Sequence, residues 1–432
     1  MAHNRSHPLL RYRWLIFAAL ALAYLFVYFH RLSMSVVAND LARDFQTSAS
    51  VLGLLGSIYF YCYALMQFPA GLLSDSIGPR KVVTFFLAIA ALGSLLFGLA
   101  GNIETAFAGR ILVGFGVSMV FIPTMKILSQ WFRKAEFASM AGILNAVGGV
   151  GVLAATWLFA LMTSRFGWRF SFEIIGAITL LLVVLVWAVV RDRPADKGWP
   201  GIDELDGDGT NGQAASGHGG ITLMQGARQL VSTPHFWPLA IWFFLDCGIF
   251  FGFGALWGGP YLMHVYGMSR DAAGALLSMI AWGMIVGSPL LGFLSDRVLK
   301  SRKKPFLICT GLLVALMLFL VLNPEGLSRK SLAGFFFLFS ICASAIVVIG
   351  FTATKELFPV QIAGTSVGTV NLFPFLGGAV FMPMLGRVLD AFPRTDAGTY
   401  SLEAYRMLLV VLLASAVLAL VCTFFIKETF DQ

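Results

Sequence analysis

Charge is scarce in this chain. Only 12% of its 432 residues are Asp, Glu, Lys or Arg, against roughly a quarter in ordinary soluble domains. A water-soluble enzyme or binding domain of this length is thereby excluded, because there is too little polar surface to cover it. Histidine and cysteine are equally sparse, at six and five; the cysteines have no metal-ligand spacing between them and no metal cluster stands out, so no metal site is expected. Cys62, Cys247, Cys309, Cys342 and Cys422 all lie inside long apolar runs and read as small packing residues. No nucleophile and base stand in a catalytic arrangement, so neither an enzyme nor a cofactor is expected. No basic stretch is interleaved with aromatics, so nucleic acid is not an expected partner despite a formal charge of +8.

What is present is apolar. Hydrophobic residues make up 58% of the chain, and the mean hydropathy is +0.82. Uninterrupted apolar stretches of about 20 residues, the length that crosses a bilayer as a helix, fall near 14–36, 50–73, 82–100, 106–130, 137–162 and 169–190. Six more follow near 235–264, 272–295, 305–323, 331–356, 362–388 and 404–426. The expectation is an all-α, multi-pass protein of the cytoplasmic (inner) membrane with twelve spans. The first run is too long for a cleavable signal peptide and is expected to stay as an anchor. With the N-terminus inside, eighteen Lys and Arg face the cytoplasm and nine lie at outer loops and span ends. The positive-inside rule then puts both termini in the cytoplasm.

The chain also repeats itself. Gly71-Leu-Leu-Ser-Asp75-Ser-Ile-Gly78-Pro-Arg80-Lys81 returns as Gly292-Phe-Leu-Ser-Asp296-Arg297-Val-Leu-Lys300, 221 residues later. Gly142-Ile-Leu-Asn145 is matched by Gly368-Thr-Val-Asn371 after 226 residues. Such a repeat implies two pseudo-symmetric six-helix bundles, 1–193 and 234–432, joined by a cytoplasmic linker, 194–233. The linker's acidic cluster, counted as a calcium loop from Asp206, has Asn211 where Gly belongs and Gly217 where Glu belongs, so calcium is not expected. Residues 222–232 would form a short amphipathic helix at the membrane surface. Gly148, Gly149, Gly151, Gly377 and Gly378 would let neighbouring helices approach closely.

These residues resemble the major facilitator superfamily over essentially the full length. The Gly71-to-Lys81 loop is similar to that family's Gly-x-x-x-Asp-basic-x-Gly-x-basic-basic signature, with Ser76 where a basic residue is usual. Arg110-Ile-Leu-Val-Gly114-Phe-Gly116 is similar to its Arg-x-x-x-Gly-x-Gly pattern. The resemblance implies alternating access to a midplane site lined by spans one, four, seven and ten. It also implies a gating role for Gly71, Asp75, Gly78, Arg80, Lys81, Gly292, Asp296 and Arg297, with Asp75 capping the N-terminus of span eleven. A carboxylate there would be favoured by the helix dipole.

Ionisable groups at bilayer depth are expensive and usually face a cavity. Arg31, in Phe29-His30-Arg31-Leu-Ser-Met-Ser, is similar to the arginine that organic-anion and organophosphate members carry in span one. Its planar guanidinium suits a carboxylate or phosphate. The acid often found before that arginine is His30 here, and span seven lacks the second arginine of organophosphate carriers. Asp246 lies near the middle of span seven and is either a proton carrier or a permanent ion-pair partner of Arg31 or Lys126; His30 is the second proton candidate. Arg110 is assigned to coupling or to a helix tie. Lys126 would bind an anion or snorkel to the interface. Lys355 and Glu356 would be partners at the gate between the halves, and Asn145, Asn371 and Trp257 would line the solute path.

The sequence therefore predicts a monomeric secondary transporter for a small organic anion, with the solute, protons and the lipid bilayer as its partners. Proton symport is the expected mode, with an exchanger or proton antiporter as alternative. Gly148-Gly149-Val-Gly151 stands where drug-efflux members carry Gly-Pro. A transporter-like solute sensor is the alternative of another class.

Overall fold

A computed structural model describes residues 8–202, 230–358, 363–396 and 398–430. Among them, twelve helices are long and apolar enough to cross a membrane. Spans 1 to 6 are Pro8–Leu32, Ala49–Gln67, Pro79–Gly98, Ile103–Trp131, Ser139–Phe166 and Trp168–Val189; spans 7 to 12 are Phe236–Val265, Arg270–Leu299, Lys303–Leu322, Arg329–Glu356, Ser366–Asp390 and Leu402–Phe425. No sheet is found in the described residues, where the sole bridge joins Arg394 to Tyr400. This is the all-α, twelve-span fold that the apolar runs predict. The calcium-like loop and most of the surface helix expected at 222–232 lie outside the described residues.

Local chemistry sets the span boundaries. Asn102 accepts from the Thr105 amide at 2.9 Å, and Ser269, Ser328 and Ser401 cap spans 8, 10 and 12 in the same way, satisfying amides that open a helix. Gly78 holds φ at +92° just before Pro79, so glycine turns the chain and proline, needing no amide partner, starts span 3. The helix of span 1 breaks at Ser33 and resumes as Met34–Asp44. Span 7 widens into a π-helix over Phe250–Trp257, an irregularity that often accompanies function.

Burial divides the spans. The apolar stretch of span 7 is 89% buried and that of span 1 is 72%, whereas those of spans 6, 9 and 12 reach only 33%, 39% and 39%. With lipid as solvent, the exposed apolar side chains of spans 6, 9 and 12 need no cover.

Two compact units form. The first draws on Met1–His30, Leu65–Gly151 and Arg169–His218. In it an added Cβ on Gly148 would sit 2.7 Å from the Tyr28 ring, and one on Gly151 would strike the Leu25 carbonyl, so spans 5 and 1 touch through glycine. The second draws on Arg31–Ala64, Val152–Trp168 and Gly219–Gln432. Span 11 meets span 7 there in the same manner at Gly377.

Candidate functional site

Arg31 is the best-placed cation. It is 7% exposed, and its guanidinium lies over three rings of the second unit: Tyr63 at 5.2 Å, Phe375 at 5.2 Å and Phe251 at 5.7 Å. Tyr63 and Phe375 stack with centroids 4.1 Å apart, and Phe251 packs on Phe60 at 4.7 Å. Spans 2, 7 and 11 thus build an aromatic collar on one guanidinium. The collar contacts the guanidinium through ring faces, while its N–H donors lie in its own plane, so a carboxylate would approach edge-on. Sequence reasoning picked out Arg31; it missed Phe251 and Phe375, which are two among 40 phenylalanines with no local signal.

Asp246 lies about 15 Å along span 7 at helical rise, fully buried. Neither carboxylate oxygen has a hydrogen-bond partner, and no ion pair joins it among the described residues. The thiols of Cys309 on span 9 and Cys342 on span 10 are its neighbours. Beside it the Trp242 indole donates to Thr310 Oγ1 at 3.0 Å. The permanent salt bridge considered from sequence is not present in this structure. Lys126 instead donates to Asp75 Oδ1 at 2.5 Å and to the Ser74 carbonyl at 3.0 Å.

The remaining candidates are dispersed. His30 is fully buried, and its carbonyl accepts from Arg110 Nη1 at 3.2 Å, which makes Arg110 a tie between spans 4 and 1. Trp257 is buried, and its indole donates to the Met382 carbonyl at 3.0 Å, pinning the π-helix to span 11. Asn145 and Asn371 are half-buried, the latter at the break between Ala363–Val370 and Leu372–Asp390.

The repeated loops are built differently in the two halves. In the first, the Arg80 amide donates to Asp192 at 2.6 Å and its guanidinium stacks 4.0 Å over Trp187. Lys81 is exposed, and Gly71 has open space around it. Asp75, Gly78, Lys126, Asp192, Arg193 and Asp196 line a pocket of about 370 Å³. Asp75 therefore faces Lys126 here; the start of span 11, where a cap was expected, falls partly outside the described residues. In the second half Arg302 holds the cluster. It donates to Glu356 at 2.8 Å and pairs with Asp296. Its hydrogen bonds to Glu356 and Asp296 raise the guanidinium above its ordinary range despite burial. Glu356 is thus the partner of Arg302 and not of Lys355, which is exposed. Adjacent residues on a helix do not face each other. Arg297 is exposed too, and Gly292 is open.

The cluster extends to Glu428, which sequence reasoning overlooked. Its carboxylate accepts from the Arg302 amide at 2.7 Å, from the Lys303 amide at 3.3 Å and from Ser301 Oγ. Burial alone would raise this carboxyl, but the bonds from Ser301 and the backbone outweigh it and hold it below the usual range.

Twelve apolar spans, a polar loop used twice and a buried cation in an aromatic collar define a polytopic membrane transport protein. The chain belongs to the Major Facilitator Superfamily, whose model matches residues 17–259 and 247–431. It is 25% identical over 448 residues to the "Probable galactarate/D-glucarate transporter GarP" of Escherichia coli K12, covering 96% of this chain and 94% of that protein. A "Probable hexose phosphate transport protein" of Chlamydia trachomatis is 25% identical over 435 residues, covering 95% and 90%. The "Membrane sensor protein UhpC" of Escherichia coli K12 is 23% identical over 390 residues, covering 88% of each. Among solved structures, a bacterial homolog of the human lysosomal transporter Spinster, inward-facing and unoccupied, superposes with a TM-score of 0.75 at 20% identity, over 98% of this chain and 97% of that one. The twelve-span fold is therefore shared with transporters, and none of these relatives is named as an enzyme.

Proposed function

We propose that the chain is a secondary active transporter for a small organic anion, working by alternating access between bundles 1–193 and 234–432. Arg31 is the anion-binding residue, and the observation that carries this reading is its buried guanidinium held in the Tyr63, Phe251 and Phe375 collar. The names of the sugar-acid and hexose-phosphate relatives support an anionic solute. Asp246 is the proton-coupling group of a symporter, supported by a fully buried carboxyl that accepts no hydrogen bond. His30 and Arg110 take part in proton coupling, and the loops around Asp75 and Asp296 act as gates. The chain works as a monomer with both termini in the cytoplasm, as its basic residues favour.

Thermal unfolding of the purified protein with D-glucarate, glucose 6-phosphate and uncharged D-glucitol tests the anion assignment. A ligand of the folded state stabilises it by about 2.7 kcal/mol at a hundred times its dissociation constant. An anion is expected to stabilise the native protein, and Arg31→Gln to weaken that binding on the order of 10- to 100-fold, from about 1.5–3 kcal/mol for charged hydrogen bonds. Stabilisation by D-glucitol alone, or an anion effect that survives in Arg31→Gln, would sink it. In proteoliposomes, Asp246→Asn is expected to keep counterflow and lose accumulation driven by a pH gradient. A second reading, a solute sensor, is favoured by the similarity to UhpC; ligand binding without any counterflow would select it.

A further inference from the structure

The helix Met34–Asp44, which continues span 1, is seated on second-half elements within one compact unit. An added Cβ on Gly259 would strike the Ser35 carbonyl, and one on Gly274 would lie 2.7 Å from the Thr156 carbonyl, so backbones nearly touch along this seam. Polar bonds close it. Ser164 Oγ donates to Asp271 at 2.6 Å, and Asp390 accepts the Ala49 and Ser50 amides at 2.9 and 2.8 Å.

At the centre of the seam Asp40 is only 5% exposed. It pairs with Arg270 from the facing helix Arg270–Leu277 and with Arg43 of its own helix at 3.2 Å. We propose that Asp40 is a second proton-binding residue of the transport cycle: it takes up a proton when the seam is open to water, and the neutral form favours the closed seam. The proposal rests on the alternating-access reading above.

Opening the seam would return this carboxyl to water, whereas closing it strips that water away, so closure selects the uncharged acid unless the two arginines fully compensate. Burial raises the Asp40 carboxyl above its ordinary range, prevailing over Arg270 and Arg43, with Asp44 adding to the rise. Among the other groups on elements packed against this helix, Asp271 is engaged by Ser164, His264 shares a hydrogen bond with the Tyr405 hydroxyl at 2.9 Å, and Arg165 of Phe159–Phe166 is exposed. The sign follows from linkage. The state with the higher carboxyl pKa binds more protons, so acid favours closure, by at most about tenfold in the closed-to-open ratio per pH unit for one proton.

The test is spin-label distance measurement across the seam in nanodiscs, without solute, on the full chain carrying Gln46→Cys and Glu325→Cys with Cys422→Ser. Both label sites are exposed, and the other native cysteines are buried. The closed-to-open ratio is expected to rise as pH falls from about 8 to 5 in the background chain. Asp40→Asn should hold the closed distance at every pH, and Asp40→Glu should restore the titration. If Asp40→Asn titrates as the background does, the Asp40 assignment falls and the transport reading stands. If the seam keeps one distance in every variant at every pH and also on adding D-glucarate, both fall.

Discussion

Gly377→Ala isolates the contact that holds the aromatic collar together. The new methyl would be driven into the Phe244 carbonyl oxygen, with the Gly248 nitrogen 2.9 Å and its Cα 3.2 Å away. All three atoms are backbone, so no rotamer change relieves the overlap and span 7 must move off span 11. Overpacking of this kind costs about 1–3 kcal/mol. Gly311→Ala in span 9 is the control, because nothing lies within 4 Å of its added Cβ; there alanine should be neutral or gain about 0.5–1 kcal/mol from lower chain entropy. The assay is detergent unfolding read with a thiol-reactive dye, since Cys62, Cys247, Cys309 and Cys342 are buried and react once the fold opens. The two variants should separate by about 1–4 kcal/mol. Movement at Gly377 also shifts Phe375 relative to Phe251, so anion binding should weaken with stability. Equal stability of Gly377→Ala and Gly311→Ala would refute the close approach.

Two further outcomes follow from the polar clusters. Glu428→Gln removes the charge that opens span 9, and should lower stability by about 1 kcal/mol at neutral pH, as for other helix caps. Because the folded carboxyl lies below its unfolded value of about 4.3, its contribution is present above that value and lost as pH falls through the folded one. Melting curves of the two proteins should therefore converge in acid, and a gap that persists there would count against the charge. Lys126→Gln should change stability by less than about 1 kcal/mol, because its pair with Asp75 is partly exposed; a larger loss in the same unfolding assay would mean the pair is part of the packing.

How much was legible in advance depended on how far apart the determinants lie. The spans could be read because lipid demands some twenty consecutive apolar residues, a condition each segment meets alone. The repeated loop stands out because its glycines and charges recur at short, fixed spacing. Side-chain pairing could not. Lys355 and Glu356 are neighbours in sequence and suggest a pair, yet helical geometry turns them apart and Arg302, on another helix, takes Glu356. Asp40 looks like any acid beyond the end of a span, and Arg270 counts only toward the charge on one side; their meeting depends on Gly259 and Gly274 letting the backbones close. The residue types that bring the seam together, small and uncharged, are those a search for chemistry passes over. Charged residues in this fold take their neighbours from the glycines that decide which helices touch: Gly377 brings span 11 onto span 7 beside the collar around Arg31, whereas Gly259 and Gly274 bring together the backbones around Asp40.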